Sequence, residues 1–371
     1  MTMATLLLAT RKGVFVVERS PVSGWTVIGH HFQGDAVTRV FADPRDGAWY
    51  AALRHGHYGV KLQKSLDRGA SWTEIPAPAF PKKPEHGPWA NDETPWTVEL
   101  VWALAPGAAN EPGVLWAGCM PAAVFRSGDG GASWQLCESF WLDERRRAWM
   151  GGGNDYPGMH SVCVDPRDSR HVTVAISCGG VWTTHDAGAK WELIGKGLEA
   201  PYTPPDLAFD PNVQDVHSIS ACAAEPDVIW AQHHCGVYRS VDGGVNFTRL
   251  PAPMPGDFGF VIVADPANPL RAWVVPAVSD ANRYAIDGAM CVCRTDDGGQ
   301  TWQQFRSGLP QHHAYHLVYR HGLALAPATG GERTLAMAST TGGVWISDDT
   351  GEAWSTLDAS LPPVAAVTWS V

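Results

Sequence analysis

The chain has 371 residues, only 18% of them charged, with 39 Gly, 28 Pro and 18 Trp: a mixture of tight turns and large apolar plates that excludes a helical or disordered chain and suits many short strands. A formal net charge of −11 with no offsetting Lys/Arg-rich stripe argues against a phosphate backbone as partner, so no nucleic acid is expected. The apolar start Leu6-Leu7-Leu8-Ala9 is shorter than a signal-peptide core or a membrane span, and Arg11 and Lys12 follow it, so the expectation is a cytoplasmic protein with no membrane partner.

In chain order, three strand-like pieces come first, at residues 5–9, 14–18 and 25–28, with a worn turn at 20–25. Then one pattern occurs six times: Ser or Thr, Asp two residues on, Gly two further, and an aromatic three after that. The copies are Ser65/Asp67/Gly69/Trp72, Ser127/Asp129/Gly131/Trp134, Thr184/Asp186/Gly188/Trp191, Ser240/Asp242/Gly244/Phe247, Thr295/Asp297/Gly299/Trp302 and Ser347/Asp349/Gly351/Trp354. A recurrence every 52–62 residues is long enough for a four-stranded antiparallel blade with loops. In each copy the Asp and Ser or Thr oxygens accept from turn amides, Gly supplies a positive φ, and the aromatic opens the next strand. Asp67, Asp129, Asp186, Asp242, Asp297 and Asp349 are therefore structural; identical acids in every blade cannot all line one site.

Reading back from each turn gives an inner strand closed by Asp-Pro, as at Asp43-Pro44, Asp165-Pro166 and Asp265-Pro266, then a second and a third strand. After the last copy only one strand remains, at 364–369. Three strands at the start plus one at the end make a composite blade that closes the ring. The fold expected is all-β: a single seven-bladed β-propeller over 1–371, with blade 1 at 35–75, blade 2 at 96–137, blade 3 at 158–194, blade 4 at 215–250, blade 5 at 257–305, blade 6 at 314–357, and blade 7 from 1–29 plus 363–371. A six-bladed ring with a stray N-terminal hairpin is the alternative.

The repeated turns fall on one face of the disk, and the loops between strands two and three, or between blades, on the other. Twelve of the 15 histidines sort to that second face, which is read as the working surface. It also carries long insertions at 76–97 and 138–159, whose Trp89, Trp96, Trp141 and Trp149 act either as plates for sugar rings or as anchors for the loops. His160, His217 and His234 with Cys178 and Cys235 would suit zinc, against a hydrogen-bonded histidine cluster around the channel mouth. Otherwise no cofactor is expected, and most of the eight cysteines read as buried free thiols. Arg11 and Arg283 are candidates to hold a carboxylate, with His55, Glu99, His160, His217, His233, His234 and Tyr315 as further ligand-binding candidates. Among the acids at the funnel, Asp257 and Asp155 are the candidate acid/base pair for a glycosidic bond.

The six turns resemble the BNR/Asp-box repeat superfamily over essentially the whole chain. Thr10-Arg11-Lys12-Gly13-Val14-Phe15, Gln232-His233-His234-Cys235-Gly236-Val237-Tyr238-Arg239-Ser240 and Asp257-Phe258-Gly259-Phe260 look like bacterial proteins described as BNR-repeat glycosyl hydrolases or sialidase-like. The sialidase resemblance implies six blades, an arginine triad and an Arg-Ile-Pro motif; no Arg-Ile-Pro occurs here and the blade count favours seven. Xyloglucan-degrading enzymes are similar in their seven-bladed boxed propellers, and the photosystem II assembly factor is similar in blade number while implying a binding scaffold. The expectation is a glycoside hydrolase-like propeller that binds a carbohydrate or small carboxylated ligand on the turn-free face. The alternative is a non-catalytic scaffold for a protein partner.

Overall fold

The computed structural model describes residues 5–151, 154–327 and 333–370. Residues 1–4 and 371, assigned above to the composite blade, and Gly152 and Gly153 of the glycine turn before Asp155 lie outside them. The described strands form seven four-stranded antiparallel sheets, the blades of a seven-bladed β-propeller. Six blades run in chain order. The seventh places strand Val364–Ser370 innermost against Thr5–Thr10, followed by Gly13–Ser20 and Gly24–His31. Among the described residues no helix is long and apolar enough to cross a membrane.

The repeated turns close their hairpins in one way. In all six the Ser or Thr hydroxyl donates to the Asp Oδ1 at 2.7–2.9 Å and accepts from the Gly amide at 2.8–3.0 Å. The same Asp Oδ1 accepts the amide four residues on at 2.8–3.0 Å. The Gly stands at φ between 88° and 91°, a conformation that a Cβ disfavours. The turn before Trp25 keeps only Ser20 Oγ, which accepts the Val22 and Ser23 amides. Because the hydroxyl is buried and serves both sides of the turn, Ser347→Ala is expected to lower stability by about 1–2 kcal/mol by leaving the Gly351 amide unpaired. Urea unfolding reads this, and an unchanged midpoint would contradict the clasp.

Blades pack through seven apolar clusters, one at each blade-to-blade junction. The turn aromatics fill them: Trp354 of blade 6, for example, packs against Trp273 and Val292 of blade 5. At the far ends of the inner strands Asp43, Asp165 and Asp265 each accept the amide two residues on, across their Asp-Pro steps, at 2.8–3.0 Å.

The near ends of five inner strands position the site. Their registers slip by a bulge at Thr38, Trp102, His160, His217 and the pair Phe260-Val261. A bulge re-aims its side chain out of the ladder alternation. Three of these side chains then donate to the carbonyl that opens the next blade: Thr38 to Val101 (2.8 Å), His160 to Val216 (2.8 Å) and His217 to Gly259 (2.6 Å). Adjacent blades are thus stitched together around the axial channel, by hydroxyl or imidazole.

Candidate functional site

Asp215 stands one residue before the inner strand Val216–Ala221 of blade 4, His217 is its bulged residue, and His234 lies in the turn between Ile229–His233 and Gly236–Ser240. The His234 amide donates to the Asp215 carbonyl at 2.9 Å, which fixes the turn over the strand start. Asp215 Oδ2 lies 3.5 Å from His217 Nε2 and 3.3 Å from His234 Nδ1. Asp215 and His217 are buried, and Asp215 Oδ1 has no hydrogen-bond partner. Since Nδ1 of His217 donates to Gly259, its Nε2 is the free nitrogen, turned toward the carboxylate.

Burial opposes the charge on Asp215, but the two facing imidazoles outweigh it and hold the carboxyl well below the usual range. The hydrogen bond to Asp215 raises His234, whereas burial dominates at His217 and lowers it despite the same carboxylate. The arrangement is therefore a carboxylate set between two imidazoles, the partly exposed His234 and the buried His217, whose Nε2 lone pair faces it.

Aromatic rings wall the cluster. Tyr202 meets the edge of His234 at 5.1 Å, Phe258 meets both imidazoles at 5.4–5.5 Å, and Phe260 stacks on His217 at 4.5 Å with Tyr319 against it at 4.7 Å. Two arginines flank Phe260: Arg283 at 5.5 Å and Arg320 at 5.3 Å from the ring centre. Arg320 is only 4% exposed, sits also over Trp102 and Tyr319, and leaves Nε and Nη1 without partners. The Cys178 thiol lies beside Asp215; burial first, and then that carboxylate, pushes it up to about 12.

The other expected residues fall as follows. Both ring nitrogens of His160 are engaged, Nε2 donating to Val216 and Nδ1 accepting from Ser161 at 2.9 Å, which takes it out of a ligand set. His233 is fully buried, and its Nδ1 accepts the Cys235 amide. Cys235 is half-buried and lies outside the Asp215 cluster. Asp257 pairs with Arg249 at 3.1 Å, whereas Asp155 lines a cleft with Thr94, Trp141, Arg146 and Trp149, so each acid of the expected pair answers to different neighbours. His55 faces Asp35 at 3.7 Å and Glu99 faces Arg54 at 3.7 Å, both at the mouth of blade 1. Arg11 is exposed on blade 7. Tyr315 is exposed and packs on Tyr284, next to Arg283 in sequence.

Three of the four long-loop tryptophans pack into the fold. Trp89, Trp141 and Trp149 are buried, and Arg146, paired with Asp92 at 2.6 Å, stacks on Trp89 and Trp141. A cleft on the turn-bearing side between blades 3 and 4 is lined by Cys163, Asp165, His171 and Ile219, but its carboxylate is already held by Arg167 and His171. Asp215 is the central residue that sequence reasoning passed over. Its signal was positional: like Asp35, it directly precedes an inner strand.

No family profile matches the chain. A stretch of 153 residues is 27% identical to the xyloglucanase Xgh74A of Acetivibrio thermocellus, covering 36% of this chain and 17% of that protein. In three dimensions the chain resembles an ancestral GH74 enzyme with a TM-score of 0.58 at 15% identity, over 90% of this chain and 38% of the other. It also resembles YCF48 bound to a D1 peptide with a TM-score of 0.51 at 12% identity, over 87% and 80% of the two chains. This chain thus spans a minor part of the xyloglucanase and of the GH74 structure. The likenesses establish a propeller fold that glycoside hydrolases share.

Proposed function

We propose that this protein is a glycoside hydrolase-like member of the Asp-box propellers that binds a carboxylate-bearing carbohydrate at the mouth of blades 4 and 5. The observation that carries the reading is the convergence of Asp215, His217 and His234 with an aromatic wall and two arginines on the face away from the repeated turns. Ring faces of a sugar are apolar and match Phe258 and Tyr202, while its hydroxyls and carboxylate match imidazole and guanidinium donors. Arg283 is exposed, with Nε donating to the Asp280 carbonyl, so the rest of its fork remains for an incoming anion. The partial sequence likeness to a xyloglucanase favours a saccharide over other small acids.

Calorimetry with glucuronate, galacturonate and a sialoside, against their neutral counterparts, tests the reading. The acidic sugars are expected to bind more tightly, and Arg283→Ala to remove about 10- to 100-fold of that affinity by deleting a charge-assisted contact. Folded wild-type protein that binds none of them, or an Arg283→Ala variant that binds them equally well, would sink the proposal and leave the protein-scaffold reading.

A further inference from the structure

We propose that Asp215, His217 and His234 hold one divalent transition-metal ion of the zinc class, with a coordination position left open toward the ligand. The inference deepens the carbohydrate-site reading and rests on it for the identity of the ligand, but metal uptake is measured without any saccharide.

Four observations support it. First, bonds of about 2.0–2.1 Å at tetrahedral angles set donor atoms roughly 3.3–3.5 Å apart. The carboxylate oxygen lies 3.3 Å from one imidazole nitrogen and 3.5 Å from the other, and one donor atom from each of the three residues falls within 4.8 Å of the others. Second, His217 already has the outer-shell hydrogen bond typical of a metal-bound histidine: Nδ1 donates to the Gly259 carbonyl at 2.6 Å, which fixes the tautomer and presents the Nε2 lone pair. With that tautomer, Nε2 and Asp215 Oδ2 are two acceptors facing each other, an arrangement that a shared cation resolves. Third, Asp215 Oδ1 is buried without a partner, so the carboxylate has unused ligand capacity.

Fourth, the other blades show what is missing elsewhere. Blade 1 repeats the acid and the turn imidazole as Asp35 and His55, but its bulge residue is Thr38. Blade 3 has an imidazole at the bulge, yet His160 is turned over, with Nε2 donating to the neighbouring carbonyl and Nδ1 accepting from Ser161. Among the described residues, three such donors converge only in blade 4. Two nitrogens and one oxygen make a set that leaves a fourth tetrahedral position, as catalytic zinc sites do. A bound ion there would polarise a carboxylate or hydroxyl oxygen of the sugar, or lower the pKa of a bound water to about 7.

The test uses the full chain after chelator dialysis, titrated with Zn²⁺ by calorimetry and with Co²⁺ by its visible absorption. One equivalent is expected to bind, and His234→Ala, a change at a partly exposed side chain, is expected to weaken binding by about 100-fold or more. Asp215→Asn keeps the shape and should lose the ion similarly, while Asp35→Ala at the mouth of blade 1 should leave it unchanged. Thermal unfolding establishes that each variant is folded. Wild-type protein that takes up no stoichiometric metal, or a folded His234→Ala protein that binds as tightly as wild type, would overturn the inference. One equivalent of zinc without saccharide binding upholds the metal centre and sinks the carbohydrate reading; saccharide binding by protein that takes up no metal does the reverse.

Discussion

Deletion of residues 363–371 is expected to abolish the folded ring rather than trim its edge. The strand Val364–Ser370 is the innermost strand of blade 7, pairing with Leu6, Leu7 and Leu8 through Trp369, Thr368 and Val367. It also ties three blades together. Trp49 Nε1 of blade 1 donates to Ser370 at 2.8 Å, Thr368 donates to the Val40 carbonyl at 2.8 Å, and Trp369 Nε1 donates to the Ala324 carbonyl of blade 6 at 3.1 Å. Val364, Val367 and Trp369 are buried in the junction between blades 6 and 7. At about 1.5–3 kcal/mol for each large apolar side chain removed, plus the uncovered leucines, the loss is on the order of 10 kcal/mol, comparable with the whole stability of a typical domain. The truncated chain should therefore lose its cooperative thermal transition and aggregate through the exposed edge of Thr5–Thr10. A soluble truncated monomer melting within a few degrees of wild type would contradict closure by this strand.

The second large effect is expected at Asp265, the acid of the Asp-Pro stop in blade 5. It is 1% exposed and receives Arg333 Nη2 of blade 6 at 3.1 Å, with Arg271 at 3.6 Å. Arg333 is itself buried. Asp265→Asn preserves an acceptor for the Ala267 amide but leaves Arg333 as a buried cation without its counter-charge, so a loss of about 3 kcal/mol or more is expected. In urea unfolding, pairing it with Arg333→Met should recover a large part of that loss, because both charges then leave together. A single variant within about 1 kcal/mol of wild type would show that the pair does not bind the two blades.

Most of the fold was legible because a propeller repeats its instructions. Six copies of one hydroxyl–acid–glycine turn fixed the hairpin between the third and fourth strands of six blades, and the uneven remainder of strands at the two ends of the chain pointed to a composite seventh, as observed. These signals are local: each needs only side chains within a few residues of one another. The inner strand of blade 3, Met159–Val164, ends at the Asp165-Pro166 step by which the sequence closed it.

The site was legible only in part, because what distinguishes its residues is not local. His160 and His217 occupy equivalent bulges and look alike in sequence. One gives Nε2 and the other Nδ1 to the next blade's carbonyl, and that ring orientation decides which keeps a nitrogen to offer. Asp257, favoured from its place before an inner strand, turned out to face Arg249, while Asp215 in the same kind of position faces two imidazoles. The tryptophans of the long loops likewise gave no sign of Arg146, which stacks on both Trp89 and Trp141. The strand order puts Asp215, His217 and His234 on the face away from the repeated turns.

Asp215, His217 and His234 at the mouth of blade 4 form the proposed metal site. Diffraction from crystals grown with zinc, recorded on either side of the zinc absorption edge, tests it directly. The prediction is one anomalous peak about 2.0–2.2 Å from Asp215 Oδ2, His217 Nε2 and His234 Nδ1. Zinc density found only elsewhere on the surface, with these three side chains unliganded, would contradict it.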